Sequence, residues 1–382
     1  MSAEVYVVGA GIHPFGRNED VDGYTMAERA CRDALADAGL DWTAVGYAVG
    51  GSNDAGKPDN LVGRLGLTGV PFVNVRNGCA TGGVALLTAA NALRVGEADT
   101  ALVVGFDKHE RGAFSRSAAS YGLADWYAET GLMMTTQYFA MKTRRYLHEH
   151  GISERSLAAV AARAFRNGAR NPVAWRRTEL SEEDIMAAAP VNAPLTKYMF
   201  CSPAAGAVAL VLATGERAHD LCERPVRLAA LSMRSRRFGS FEVFSPWLSP
   251  KPYHSPSIDA AAAAFARAGV RPSDVGVAQL QDTDSGSEII HLAETGLCAH
   301  GEQEALLRKG ATEVDGILPV NTDGGCLANG EPVGASGLRQ VHEIVRQLQG
   351  RAPGAQVPGA PRVGFTHVYG APGISACAVL TV

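Results

Sequence analysis

Short β-branched runs alternate with alanine-rich helical segments along most of the chain, the pattern of an α/β protein. VYVVGAG at residues 5–11 reads as a buried strand, followed by the helical period of TMAERACRDALADAGL at 25–40. Gly39 is a natural stop for that helix. VGYAVGG, PFVNV and TALVVGFD (residues 100–107) follow as strands. Between the last two, CATGGVALLTAANALRVG predicts a helix apolar on all sides, which must be buried on all sides. Residues 108–197 are more polar, with helical runs such as TTQYFAMKTRRYLHEHG and SERSLAAVAARAFRNGARNP. This stretch reads as an insertion lying over the core. AAGAVALVLAT at 204–214 returns to strand character.

From about residue 224 the pattern repeats. MAERACRDALADAGLDWTAVGYAVGG finds its echo in IDAAAAAFARAGVRPSDVGVAQLQD, FVNVRNGCATGGVALL in LPVNTDGGCLANGEPVGASGL, and GAVALVLAT in SACAVLTV. A repeat of this length is no solenoid period. It predicts two similar α/β halves, 1–223 and 224–382, whose Gly-rich turns converge on a site between them.

Composition narrows the function. The 382 residues, 46% of them hydrophobic, are ample for a large core. A net charge of −4 without a basic block argues against nucleic acid as a main partner. No apolar run is long enough to span a bilayer, and MSAEVYVVGAG lacks the build of a signal peptide. Seven cysteines without a CxxC pair fit a reduced, cytoplasmic setting and no zinc site.

Three Gly-rich stretches carry candidate chemistry. In NGCATGG, Cys79 precedes the apolar helix, where unpaired N–H groups and the helix dipole favour a thiolate. Its small neighbours leave room for an acyl group and for backbone amides to hold an oxyanion. The plain alternative is a buried, inert cysteine. In NTDGGCLANGEPVGASG, Glu331 stands before Pro332, either as a solvated capping carboxylate or as an acid or base facing a cleft. In HVYGAPG, His367 ends a strand, either structural or catalytic. GAGIHPFG lacks dinucleotide-binding spacing, there is no GxSxG elbow, and QDTDSGSE lacks the length of a calcium loop.

Taken together, these segments resemble the thiolase superfamily, most closely its sterol-carrier-protein-type branch. PFVNVRNGCATGGVAL is similar to the nucleophile segment, VGFDKHERGAF to a conserved strand end of the family, GGCLANGEPVGASG to its second glycine signature and HVYGAPG to its closing loop. ARAFRNGARNPVA and APLTKYMFCSPAAGAVALVL resemble the insertion and return strand of the first half. The resemblance implies a five-layer αβαβα fold of two βαβαβ-type halves, with 108–197 inserted over the first. It implies Cys79 as acyl acceptor, Glu331 and His367 as the proton-transfer pair, and Gln281 positioning the second substrate. Gly373, Tyr369, Asn321 and Gly325 are the implied oxyanion or substrate contacts. Coenzyme A enters as substrate, with no cofactor or metal. A homodimer paired through PFVNV and a separate zinc-ribbon/OB-fold partner protein are further implications.

The departures are specific. The family's Gly-His-Pro is Gly330-Glu331-Pro332, and its Asn-Glu-Ala-Phe or His-Asp segment is Gln281-Asp282-Thr283-Asp284. A carboxylate can take the Cys79 proton if burial or reach allows it. The implied function is an acyl-CoA acyltransferase making or cleaving a carbon–carbon bond through a Cys79 acyl-enzyme. The rivals are a retro-aldolase of β-hydroxyacyl-CoA without a covalent intermediate, and a non-catalytic acyl-CoA- or lipid-binding subunit. Tyr121, Trp126, Tyr127 and Phe139 either line a bulky pocket or simply pack the insertion, packing being the simpler expectation.

Overall fold

A computed structural model describes residues 3–114, 117–244 and 254–382. The strands are β1 (Val5–Gly16), β2 (Tyr47–Gly51), β3 (Phe72–Val75), β4 (Thr100–Lys108), β5 (Pro190–Asn192), β6 (Leu195–Thr196), β7 (Ala205–Thr214), β8 (Val226–Ser235), β9 (Val277–Leu280), β10 (Val363–Gly370) and β11 (Ile374–Thr381). Apart from the β5–β6 hairpin they follow one order, β3-β2-β4-β7-β1-β8-β11-β10-β9. The seam between β1 and β8 is two residue pairs long, Tyr6 with Arg227 and Val7 with Val226. On either side of it the halves repeat each other. The order β3-β2-β4-β7-β1 is echoed by β9-β10-β11-β8, with Val320 bridging Ala278 in parallel at the place of β3.

The echo extends to the helices. Gly23–Asp37 packs on β1 and β7 as Pro256–Ala268 packs on β8 and β11. Asp22 and Ser255 cap these two helices through their side-chain oxygens. Gly39 follows the first at φ 60°, the left-handed stop its sequence position predicts. The two central helices, Thr81–Arg94 and Ser336–Gln349, lie against each other and against the strands of their own halves. Helix, sheet, paired helices, sheet and helix make five layers. Leu86 and Leu93 are buried between the layers, but Leu87 and Thr88 are only half-buried and Asn91 and Val95 are exposed, so the helix is not covered on all sides as its apolar sequence predicts. Each fully buried leucine contributes roughly 1.5–3 kcal/mol by leaving water.

The central helices meet at glycine. A Cβ on Gly82 would stand 2.7 Å from the Leu338 backbone nitrogen, and one on Gly337 would stand 2.8 Å from that of Gly83. The small residues after Cys79 therefore serve helix–helix contact, where the sequence suggested room for an acyl group. β1 runs on to Gly16, past the predicted end at residue 11, with a register shift between His13 and Gly16 that accommodates Pro14. Residues 108–197 leave the first half as an insertion and reach across to the second. Their helix Arg155–Arg170 packs on Ser285–Glu294 and Gly325–Asn329, and Thr135–His150 also packs on Ser285–Glu294.

Candidate active site

Cys79 stands two residues before the helix Thr81–Arg94, in a turn closed by its own neighbours. The Thr81 hydroxyl accepts from the Asn77 amide (2.8 Å) and donates to the Gly78 carbonyl (2.6 Å). Gly78 adopts φ 57°, which the turn demands. Against this turn lies the end of β10. A Cβ on Gly370 would fall 2.6 Å from the Ala80 nitrogen and 3.0 Å from the Cys79 nitrogen. The closing loop of one half thus seals the nucleophile turn of the other by backbone contact.

Glu331 reaches the same place from the second glycine signature. It is 1% exposed. Its backbone amide donates to the Ser202 carbonyl, and Val333 and Gly334 just beyond it are tied to β4 and the loop after it. There the Val333 amide donates to His109 Nε2 (3.1 Å) and the Gly334 amide to Asp107 Oδ2 (2.6 Å). Asp107 also accepts from the amides of Asn53, Asp54 and Ala55, so one buried carboxylate at the end of β4 ties two loops together at the site. Glu331 Oε1 accepts from Gln281 Nε2 (2.7 Å), and Oε2 accepts from the Cys201 thiol (3.3 Å). Cys79 lies within reach of the charge of the same carboxylate.

Burial and the Glu331 charge push the Cys79 thiol well above the ordinary thiol range. This corrects the expectation of a thiolate held by the helix start. Desolvation and an adjacent anion both disfavour a second negative charge, and they outweigh amides that begin two residues further on. The pair is a thiol poised beside a carboxylate, and the thiolate forms only as its proton leaves.

Cys79 and Glu331 line one cavity of about 400 Å³. Its apolar wall includes Phe114, Tyr121, Phe139, Val243, Phe244 and Tyr369. Of the four insertion aromatics, Tyr121 and Phe139 face this space, and Tyr121 packs on Phe244 with centroids 4.5 Å apart. Trp126 and Tyr127 stack on each other instead, at 4.0 Å.

Residues 5–179 match the thiolase N-terminal domain family and residues 249–381 the thiolase C-terminal domain-like family. The benzoylsuccinyl-CoA thiolase subunit BbsB of Thauera aromatica is 31% identical over 384 residues, spanning 97% of this chain and 95% of that protein. The chain belongs to the thiolase family. It falls on the sterol-carrier-protein side: rabbit (Oryctolagus cuniculus) sterol carrier protein 2 is 31% identical over 99% of this chain and 71% of its own length. Among solved structures, the Ltp2-ChsH2(DUF35) aldolase superposes with a TM-score of 0.88 at 26% identity, covering 99% of this chain and 98% of the other. Thiolases work without a cofactor, coenzyme A being a substrate. Among the described residues no group of three His, Cys, Asp or Glu side chains is arranged to hold a metal.

The remaining candidates of this thiolase distribute unevenly. Gln281 is fully buried and touches the site through Glu331, with a weaker contact to Thr283, which lines the cavity. His367 is not among the cavity's lining residues. Its Nε2 meets the Ser257 hydroxyl at 2.9 Å, its ring lies on His291, and burial with the Lys142 charge pushes it down to about 3. Asn321 is buried elsewhere, donating to Glu288 (2.7 Å) and accepting from the Leu280 amide (2.9 Å). Gly325 opens a short helix whose first amides are capped by Asp282, and a Cβ there would strike that carboxylate. Burial pushes Asp282 up to about 8 against the pull of Arg339. Asp284, standing where the family has an apolar ring, caps the helix Ser285–Glu294. Gly373, at φ 101°, leaves room for Glu242, whose Cγ would stand 2.7 Å from a Cβ at that position. Tyr369 lines the cavity and donates to Glu242.

Sequence reasoning missed Glu242, Cys201 and the knitting role of Asp107. A lone carboxylate inside the apolar run FEVF was the available signal for Glu242, and an acid ending an apolar strand the one for Asp107. Nothing local marks Cys201, which is brought to Glu331 across 130 residues.

Proposed function

We propose that this thiolase makes or cleaves the carbon–carbon bond of a β-keto acyl thioester through an acyl-enzyme on Cys79, with Glu331 as the base. The observation that carries the reading is that Cys79 and the buried Glu331 carboxylate line one accessible cavity, with the carboxylate's charge acting on the thiol. As sulfur attacks the thioester carbonyl, its proton passes to Glu331, which returns it to the departing coenzyme A sulfur. Backbone amides of the nucleophile turn and the abutting closing loop hold the oxyanion. Gln281 orients Glu331 by its 2.7 Å hydrogen bond.

The aromatic wall supports a bulky or aryl-bearing acyl group, in keeping with the benzoylsuccinyl-CoA named for BbsB. That relative is called a subunit and the aldolase is a complex, which supports a separate partner protein. β3 lies at a sheet edge with half-buried residues, which supports pairing of two copies there.

The test is intact-protein mass after incubation with an aryl acyl-CoA. The wild-type chain gains one acyl mass and Cys79→Ala gains none. Undiminished turnover by Cys79→Ala would overturn covalent catalysis. A second reading, retro-aldol cleavage without an acyl-enzyme, draws on the aldolase similarity and on a tyrosine in the wall. It predicts cleavage of a β-hydroxyacyl-CoA that survives in Cys79→Ala.

A further inference from the structure

We propose that Tyr369, backed by Glu242, is the group that takes the α-carbon proton when the enzyme forms a carbon–carbon bond. The proposal rests on the acyl-enzyme reading and adds the residue that chemistry still lacks. Condensation also needs a base at the α-carbon, and both oxygens of Glu331 are already held, by Gln281 and by Cys201. His367, the candidate suggested by the sequence, stays in the core on Ser257. Two residues along β10, on the same face of the strand, Tyr369 lines the cavity shared by Cys79 and Glu331.

Its surroundings are those of a proton relay. The phenol donates to Glu242, a fully buried carboxylate. Lys142 Nζ lies 5.7 Å from the Tyr369 ring centroid, and the charges of Glu294 and Glu242 help hold its ammonium protonated against burial. That cation offsets the charge of the Glu242 carboxylate. Gly373 gives the Glu242 stem its space.

In the step, the α C–H bond of the second acyl-CoA breaks as an O–H bond forms on Tyr369. The original phenolic proton passes to Glu242 in the same motion. The electron pair remains on carbon as the thioester enolate, which attacks the acyl carbon on Cys79. A carbon–carbon bond forms, the carbon–sulfur bond to Cys79 breaks, and the expelled thiolate takes back the proton stored on Glu242. Tyr369 ends neutral, and charge and protons balance.

The experiment uses 3-phenylpropionyl-CoA deuterated at the α-carbon, with two mass readouts: acyl gain on Cys79 and loss of deuterium to solvent. Tyr369→Phe and Glu242→Gln should acylate like wild type and lose α-exchange by roughly 100-fold or more, the usual weight of a positioned base. Exchange near the wild-type rate in Tyr369→Phe would overturn the proposal. So would wild-type protein that exchanges nothing, or variants in which acylation and exchange fall together. Wild type that exchanges but never acylates would sink the acyl-enzyme reading instead. Loss of that exchange in Tyr369→Phe would still uphold the tyrosine.

Discussion

Replacing Glu331 with Gln should move two properties of Cys79 in opposite directions. The wild-type thiol is held protonated by burial and by the adjacent carboxylate. Glutamine keeps the shape and removes the charge. Two unit charges about 4 Å apart interact by about 4 kcal/mol at an effective dielectric near 20, so a neighbouring carboxylate weighs heavily against a second anion. Loss of the anion should therefore lower the thiol and raise the thiolate fraction at about pH 8. A less basic thiolate is a weaker nucleophile, so alkylation quickens by less than the thiolate fraction rises. Iodoacetamide alkylation of Cys79, followed by peptide mass spectrometry, measures it. Acyl transfer, which needs a base beside the sulfur, should fall by about 10²–10⁴-fold and become hydroxide-dependent. Slower alkylation in Glu331→Gln would refute the reasoning, since the carboxylate would then be promoting the thiolate.

Two further outcomes test the frame around the site. Gly82→Ala places a Cβ 2.7 Å from the Leu338 backbone; overpacking of about 1–3 kcal/mol should exceed the ~1 kcal/mol helix gain, lowering the denaturation midpoint. His367→Gln should leave Cys79 acylation intact while lowering stability near neutral pH. Burial holds His367 at about 3, below the ~6.5 of an unfolded histidine, so its contribution is complete above ~6.5 and is lost as pH falls through that window. The stability gap between wild type and variant should then narrow by up to ~1.4 kcal/mol per pH unit on acidification; a constant gap would contradict the assignment.

What could be read in the chain is local periodicity and repetition. β2, β4 and β7 were legible because a strand covered on both faces must be apolar throughout; the apolar run after Cys79 marked its helix but overstated how far it is covered. The two halves were legible because each repeats the same succession of elements. Cys79 and Glu331 stood out because a cysteine and a carboxylate interrupt glycine-rich turns that have no packing need for them. The sequence could not say that one lies beside the other.

Tertiary structure decided the chemistry. Facing the two halves sets a buried carboxylate beside a half-buried thiol, and that pairing reverses the ionisation the helix start alone would favour. It also sends His367 into the core and Tyr369 to the cavity, although both lie on one strand face. Glu242, Cys201 and Asp107 become partners of residues dozens to hundreds of positions away. Proton affinity depends on burial and on charges a few ångströms distant. Sequence order determines neither until the chain has closed on itself.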